Sequence, residues 1–250
     1  MSILTSIARQ MKASRYTVAL TGAGLSAESG IPTYRGKGGL WTKYDPKRYA
    51  HIHSFLQDPS YYWNFFRQLR YPMLKKAQPN RAHRAMAEME RAKKLHRIIT
   101  QNIDGLHQEA GSASVIELHG TSRTISCMSC SARYSMDDAF RMLETRCPPR
   151  CPECGGKLRP SVIFFGEPLK PEVLESAFRE AEKSDVFLVV GSSLVVHPAA
   201  DLPLRALEGG ARLVIINREE TPLDEAADFL VHDEAGKILP DLARRIINAG

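Results

Sequence analysis

The chain has 250 residues, a formal net charge of +6 and a pI of about 9.1, with 43% hydrophobic and 25% charged residues. These values are typical of a globular protein and exclude a disordered chain, a collagen and a coiled coil. No apolar run reaches the roughly 18 residues that a membrane-spanning helix needs, and the length suits one large domain or two small ones.

The N-terminal segment predicts an amphipathic helix, because its apolar residues Ile3, Leu4, Ile7, Ala8 and Met11 recur at helical spacing. It has no basic region followed by an apolar block and a small-residue cleavage site, so we predict a cytoplasmic protein. Four of the five cysteines form two CxxC pairs. In a reducing compartment this favours metal binding over disulfides.

Short apolar runs alternate with helical patterns along the rest of the chain. The runs are YTVAL (16–20), RIIT (97–100), VIEL (115–118), VFLVV (186–190), LVII (213–216) and FLV (229–231). Apolar residues at helical spacing mark helices around 82–89, 173–181 and 238–247. Continuous apolar strands between amphipathic helices predict a doubly wound, Rossmann-like α/β domain with a parallel sheet covered on both faces.

Two stretches interrupt this alternation. Residues 32–80 are rich in aromatic residues and proline, and residues 122–160 carry all five cysteines. We predict that both are insertions that together form a small lobe, within a single domain spanning 1–250. The predicted Rossmann-like lobe comprises residues 1–34, 81–121 and 160–250, and the small lobe comprises a helical part, 35–80, and a zinc part, 122–159.

The sequence GAGLSA at residues 22–27 directly follows the first predicted strand and fits the dinucleotide-binding pattern GxGxxG/A. Its glycines allow backbone N–H groups to approach a pyrophosphate at a helix N-terminus, although an ordinary tight turn is the alternative. A hydride-transfer enzyme also needs an acidic residue about 20 residues later, at the end of a second strand. Asp45 does not fit, because residues 31–45 form no predicted strand, so the pattern favours a dinucleotide without hydride chemistry.

The four paired cysteines predict a zinc site. Cys127-x2-Cys130 and Cys151-x2-Cys154 have the spacing of a zinc ribbon. Four thiolates complete a tetrahedral site with no open position, so the zinc is expected to be structural. The alternative is four unligated thiols. The fifth cysteine, Cys147, either does not bind the metal or replaces Cys151 as a ligand.

Polar residues follow several predicted strands, at the edge where a doubly wound sheet binds its ligands. Asn102 and Asp104 follow RIIT, His119 follows VIEL, and Gly191-Ser192-Ser193 and Asn217 follow VFLVV and LVII. His119 could act as a general base near neutral pH; a core histidine or a metal ligand is the alternative. Turns and loop caps use the same residue types, so these positions alone leave both interpretations open.

Together these motifs closely resemble the sirtuin family of NAD-dependent protein-lysine deacylases. The departures from the family are mild: Leu25, Tyr34 and Ser192 replace a common Ile, Phe and Thr, and Phe164 stands where Trp is frequent. None removes a catalytic group. The matching segments occur in family order and cover nearly the whole chain: GAGLSAESGIPTYRG (22–36), TQNIDGLH (100–107), His119-Gly120, the two CxxC pairs, RPSVIFFGEP (159–168), GSSLVVHPAA (191–200) and IIN ending at Asn217.

The resemblance implies that NAD is consumed as a co-substrate. The amide oxygen of an acyl-lysine attacks the anomeric carbon of the nicotinamide ribose, and nicotinamide leaves. His119 then takes a proton from the ribose hydroxyls so that the 2′-oxygen attacks, and water releases lysine and O-acyl-ADP-ribose. Asn102 and Asp104 would order the ribose and a water and hold the carboxamide, while the zinc maintains the shape of the small lobe.

The resemblance also implies the residues of each site. His119 and Asn102 are the expected catalytic residues. The acyl-lysine is expected to contact Val162, Phe165, Gly166, Glu167 and Val195, and the expected zinc ligands are Cys127, Cys130, Cys151 and Cys154. The expected NAD-binding residues are Gly22, Ala23, Gly24, Ser26, Thr33, Tyr34, Arg35, Trp41, Gln101, Asn102, Ile103, Asp104, His119, Gly191, Ser192, Ser193, Asn217, Arg218, Glu219 and Ala235.

The helical insertion bears on the choice of acyl group. Sirtuins that prefer succinyl or malonyl groups carry a Tyr-x-x-Arg pair there, which holds the extra carboxylate. Aligning YYWNFFRQLRYPM (61–73) puts Phe66 and Leu69 at those positions, and neither can bind a carboxylate. We therefore expect acetyl or another neutral acyl group. Arg67 or Arg70 would change this only with a different helix register.

Two alternatives remain open from the sequence. A mono-ADP-ribosyltransferase would use the same NAD pocket, and a zinc-ribbon nucleic-acid-binding NAD sensor would suit the cysteines and the +6 charge. The cysteine segment lacks a clustered basic stripe, however. We expect acetylated protein lysines as partners, including those of chromatin or nucleic-acid-associated proteins, bound as a strand between residues 161–166 and 194–196. We expect a monomer with no membrane contact and no direct nucleic-acid contact.

Overall fold

A six-stranded parallel sheet forms the centre of the computed structural model, which describes residues 2–36 and 38–247. Its strand order is β3–β2–β1–β7–β8–β9, and each neighbouring pair is parallel. The six predicted strands agree with the observed ones to within one residue. The strands are β1 (Thr17–Thr21), β2 (Arg97–Thr100), β3 (Val115–Glu117), β4 (Gly120–Cys127), β5 (Arg133–Ser135), β6 (Leu158–Val162), β7 (Val186–Val190), β8 (Arg212–Ile216) and β9 (Phe229–Val231).

Helices cover both faces of this sheet, with α1, α7 and α12 on one face and α10 and α11 on the other. No helix in the described part of the chain is long and apolar enough to cross a membrane. A π-helix, Phe66–Arg70, joins α5 to α6. The α-helices are α1 (Ile3–Ala13), α2 (Ala23–Ser26), α3 (Pro46–Tyr49), α4 (Ile52–Gln57), α5 (Ser60–Phe65), α6 (Tyr71–Lys76), α7 (Arg81–Arg91), α8 (Leu106–Glu109), α9 (Met136–Thr145), α10 (Pro171–Glu182), α11 (Leu202–Glu208) and α12 (Ala235–Ile247).

The strand sequences are continuously apolar because both faces of the sheet are buried. Side chains alternate between the faces along each strand. In β7, Leu188 packs against the α1, α7 and α12 layer, whereas Phe187 and Val189 pack against α10 and α11. The predicted doubly wound fold class is confirmed, with ligand-binding potential at the carboxyl ends of the strands.

The two insertions pack against each other and share an apolar core. The antiparallel sheet β5–β4–β6 and helix α9 come from the cysteine-containing segment. Its Ile125 lies in the same buried cluster as Trp63 and Phe66 of the helical segment, and Tyr71 of the helical segment stacks on Phe140 of α9 at 3.9 Å. The structure thus contains the small lobe of the predicted fold class; the residue boundaries between the lobes stay predictions, and residues 1, 37 and 248–250 of those ranges lie outside the described residues.

Candidate functional site

A cavity of about 440 Å³ lies between the six-stranded sheet and the small lobe. Its floor comes from the loops that follow β1, β2, β7 and β8, namely residues 22–24, 101–103, 191–193 and 217–219. The small-lobe side is formed by residues 33–36, Tyr49, Ala50, Tyr62 and Arg70. The cavity therefore occupies the edge of the sheet where sequence analysis expected a ligand.

Most of the predicted site residues line this cavity. All of the predicted NAD-binding residues do so except Ser26 and Asp104, and all of the predicted acyl-lysine residues do so except Val195. Val195 is 49% exposed and does not line the cavity, whereas its neighbour Val196 does. Ser26 and Asp104 lie behind the cavity wall, where they contact Asn102 directly or through each other.

Three glycines bring the turns after β1 and β7 into contact. Gly24 N–H donates to Gly191 O at 2.8 Å, and a Cβ on Gly22 would lie 2.7 Å from that same oxygen. Gly191 has a φ of +62°, which side-chain-bearing residues rarely adopt. Because no side chain fits at these positions, the floor presents bare backbone to the cavity, as close approach to a dinucleotide pyrophosphate requires. The residues present therefore fit NAD.

Hydrogen bonds fix the orientation of Asn102, which is only 6% exposed. Its Nδ2 donates to Gly22 O at 3.0 Å and to Ser26 Oγ at 3.1 Å, and Ser26 Oγ donates to Asp104 Oδ2 at 2.7 Å. Since a carbonyl only accepts, Nδ2 must point towards Gly22, and Oδ1 stays available as an acceptor. The pKa of Asp104 is raised above its ordinary value because the carboxyl group is buried. Hydrogen bonds from Leu106 N–H and Ser26 lower the pKa by a smaller amount.

His119 presents an unprotonated ring nitrogen to the cavity. Its Nδ1 lies 2.9 Å from Gln101 O, and because that oxygen can only accept, Nδ1 carries the proton and Nε2 has a free lone pair. Burial lowers the pKa of His119 below its ordinary value, and the bond to Gln101 raises it to a smaller extent. The imidazole is therefore neutral near pH 7 and able to accept a proton.

Two further histidines, His83 and His107, lie buried beneath the floor, and sequence analysis assigned them no role. Burial lowers the pKa of His83 to about 4 and that of His107 to about 3. His107 Nε2 lies 2.9 Å from Thr21 Oγ1, and His83 Nε2 lies 3.4 Å from Ser26 Oγ. Both are neutral groups that support the network behind Asn102.

Arg70 is a charged cavity residue that the sequence alignment did not place in the site. It is 7% exposed, lines the cavity, and donates to Tyr34 Oη at 3.2 Å. No carboxylate of residues 2–36 and 38–247 lies within ion-pair distance of its guanidinium, and its buried Nε has no hydrogen-bond partner there. The π-helix adds one residue to the turn. Arg70 consequently lines the cavity, whereas Phe66 packs in the small-lobe core and Leu69 is not part of the cavity wall.

The sulfur atoms of Cys127, Cys130, Cys151 and Cys154 all lie within 4.8 Å of one another. Their separations are 3.5 Å from Cys127 to Cys154 and 3.7 Å from Cys130 to Cys151. A tetrahedron of thiolates about 2.3 Å from a zinc ion has edges of about 3.8 Å. The cluster therefore fits one structural zinc. Cys147 is not part of it, and its Sγ instead lies 3.6 Å from Asn64 Oδ1.

Comparisons with known proteins agree with this geometry. The family model described as "Sir2 family" matches residues 22–198. The chain is 46% identical to NAD-dependent protein deacylase 1 of Archaeoglobus fulgidus, over 94% of this chain and 95% of that protein. It is also similar to a solved Sir2 homolog–NAD complex, with 45% identity, a TM-score of 0.88 and coverage of 98% and 94% of the two chains. A further similar structure holds a Sir2 variant with a deacetylated p53 peptide and 3′-O-acetyl ADP-ribose, at 38% identity, TM-score 0.91 and coverage of 99% and 98%.

Proposed function

The chain belongs to the Sir2 family, the sirtuins, and from this premise we propose that it is an NAD-dependent protein-lysine deacetylase. One observation carries the proposal: His119, whose Nδ1 is bonded to Gln101 O and whose Nε2 is therefore unprotonated, lines the same cavity as the glycine floor and the oriented amide of Asn102. The acyl group of an acyl-lysine is transferred to ADP-ribose, with release of nicotinamide. The cavity residues named from the resemblance remain the proposed site.

Each group of the cavity has a task in this reaction. Because Gly22, Gly24 and Gly191 leave the floor without side chains, the pyrophosphate of NAD would lie against the backbone of residues 22–24 and 191–193, and Asn102 Oδ1 would orient the nicotinamide ribose. NAD supplies the electrophilic ribose carbon and the ribose hydroxyls. His119 Nε2 accepts the proton of a ribose hydroxyl, while the bond from Nδ1 to Gln101 O fixes the ring and stabilises the positive charge that develops. Ser26 and Asp104 do not line the cavity. Ser26 accepts a hydrogen bond from the Asn102 amide and donates one to Asp104, and these bonds fix the orientation of Asn102.

The decisive experiment mixes the zinc-loaded protein with NAD and an acetyl-lysine peptide and follows nicotinamide and peptide mass. We expect nicotinamide release that depends on the peptide, with one acetyl group lost for each NAD consumed. Transfer of ADP-ribose to protein would favour the transferase alternative, and loss of acetyl without NAD would contradict the proposal.

We further propose that the protein acts in the cytoplasm as a monomer, on acetylated lysines that include those of chromatin proteins.

An acidic acyl group, such as succinyl, is a second candidate substrate, and Arg70 is the observation that favours it. A buried guanidinium without an acidic partner costs several kcal/mol of stability, which an anionic ligand would offset. Arg70 and Tyr34 together offer charged and neutral donors on the small-lobe side of the cavity. Arg–carboxylate hydrogen bonds of this kind are stronger than neutral ones.

Changing Arg70 to methionine tests this second candidate. We expect kcat/KM for a succinyl-lysine peptide to fall by about 10- to 100-fold, since a hydrogen bond to a charged group contributes about 1.5–3 kcal/mol. The acetyl-lysine peptide of the same sequence should change much less. Arg67→Met is the matched control, because Arg67 donates to Leu143 O and Asn64 Oδ1 and is not part of the cavity wall. A ratio of the two substrates that Arg70→Met leaves unchanged would remove Arg70 from acyl selection.

A further inference from the structure

The two helical layers of the large lobe carry opposite charges. The layer of α1, α7 and α12, taken with the links at 14–15, 92–94 and 232–234, has eleven Lys and Arg residues against five acidic residues. The opposite layer, residues 171–185 and 199–208, has three basic residues against seven acidic ones. Along the sequence these charges are scattered, which is why direct nucleic-acid contact was not expected. The fold gathers the positive charge on one face.

Several of these basic side chains lie at or just beyond the C-terminal ends of the three helices. Arg15 and Lys93 lie in the links that lead into the starts of β1 and β2, and Arg244 and Arg245 lie in the last turn of α12. Two contacts join the helices there: Arg245 Nη1 donates to Thr5 Oγ1 at 3.0 Å, and the Lys94 ammonium donates to Lys12 O at 3.4 Å. These contacts place α1 beside both α12 and the segment that follows α7, so the basic residues of the three elements share one layer.

Much of this charge is not neutralised by the protein itself. Within the part of the chain that the structure describes, the exposed side chains of Arg9, Arg91 and Lys93 make no ion pair or hydrogen bond. Arg15 is 91% exposed at a distance of 3.6 Å from Asp185, and Arg244 and Arg245 share the single carboxylate of Asp241. Exposed pairs of this kind contribute little, so the guanidinium groups remain available to external anions.

We propose that this basic face, the outer surface of α1, α7 and α12, binds the phosphate backbone of double-stranded nucleic acid. Guanidinium groups suit phosphate because they donate two parallel hydrogen bonds. A membrane surface fits less well, because it needs an apolar face. On these three helices the large apolar side chains that are markedly exposed are Ile3 and Ile247, one at each extreme end.

The position of the basic face leaves the catalytic cavity open. Ala235, the first residue of α12, lines the cavity, whereas Arg244 and Arg245 lie about 14–15 Å further along the helix axis. The starts of β1 and β2 are likewise the strand ends opposite the cavity. A bound duplex would thus hold the protein near other duplex-bound proteins, whose lysines could still enter the cavity. This inference goes beyond the proposed reaction and does not depend on it.

Fluorescence anisotropy with a labelled DNA duplex of mixed sequence tests the proposal, using the zinc-loaded full chain over a series of NaCl concentrations. Neutralising about five phosphates should give a slope of log K against log[NaCl] of about −4.5. The triple variant R9E/R91E/K93E should bind at least about 30-fold more weakly, with a slope reduced by about three. NAD-dependent turnover of a free peptide should stay at the wild-type level, because none of the three residues lines the cavity.

The matched control is R179E/K183E/R205E, which changes the net charge equally but on the opposite layer. It should retain the wild-type affinity within about threefold. The proposal is overturned if wild-type protein does not bind the duplex at low salt, or if both triple variants lose affinity equally. It is also overturned if phosphatidylserine vesicles or poly-glutamate bind more tightly than the duplex. Peptide turnover, measured alongside, separates these outcomes from a failure of the deacylase assignment.

Discussion

Replacing His119 with alanine should lower the rate of deacylation by about 10²- to 10⁴-fold, the range that general acid–base groups contribute. The imidazole holds its Nδ1 proton against Gln101 O and presents Nε2 to the cavity as the base. Alanine removes that base but leaves the glycine floor and Asn102 in place, because these make no hydrogen bond to His119. The dissociation constant for NAD, measured by calorimetry, should therefore change little.

His53→Ala is the matched control, since His53 is an exposed histidine of α4 outside the cavity. Turnover of the His53 variant should equal that of the wild type. Near-normal turnover in the His119 variant would show that another group accepts the proton. A large loss of NAD affinity in that variant would instead assign His119 to binding.

The same residue determines the acid side of the pH profile. Because burial lowers the pKa of His119 below its ordinary value of 6.5, the neutral base predominates at pH 7. Activity should be lost only as the pH falls through this lowered pKa, so the acidic limb of kcat/KM lies below pH 6.5. An acidic limb above that value would contradict the burial of the ring.

The strands, the place of the polar residues at the edge of the sheet and the grouping of the four paired cysteines could be predicted because their signals are local. VFLVV is apolar throughout since β7 is buried on both faces, and the polar residues after each strand necessarily meet at one edge of a parallel sheet. The spacing of the two CxxC pairs, which predicts the zinc site, can likewise be seen in a short stretch of the sequence. The roles of His119 and Asn102 are not local signals of this kind: they follow from the resemblance to sirtuins and remain proposals.

The role of Arg70 and the basic face could not be predicted in this way. A π-helix is rare and has no strong sequence pattern. The alignment therefore kept an α-helical register and put Phe66 and Leu69 at the acyl-selecting positions, whereas in the structure it is Arg70 that lines the cavity. The position of Ser26 behind the wall depends on its contact with Asp104, which is 78 residues away in the sequence. The charge of the basic face is visible only after the fold brings α1, α7 and α12 together.

Removing zinc should unfold the small lobe while the six-stranded sheet stays folded. Cys127 and Cys151 are buried in the same apolar cluster as Trp63, Phe66 and Phe164. The metal site therefore stabilises both insertions and not only the turns that carry the cysteines. Four thiolates at these separations, without a metal, would repel one another as they ionise. Structural zinc binds small peptides with apparent free energies of about 10–16 kcal/mol. The free energy lost when zinc is removed should therefore be larger than the free energy of unfolding of the small lobe.

Hydrogen exchange with and without a strong chelator measures this effect region by region. We expect protection to collapse in β4, β6 and α5, and to persist in β1, β7 and β8, whose pairing involves no cysteine. Cys130→Ser should behave like the chelated protein. Cys147→Ser is the control and should retain one zinc per chain, since Cys147 lies outside the cluster. Because Tyr62 and Arg70 of the small lobe line the cavity, NAD-dependent turnover should fall with the loss of protection. A metal-free protein with full protection and full activity would show that the lobe folds without its metal.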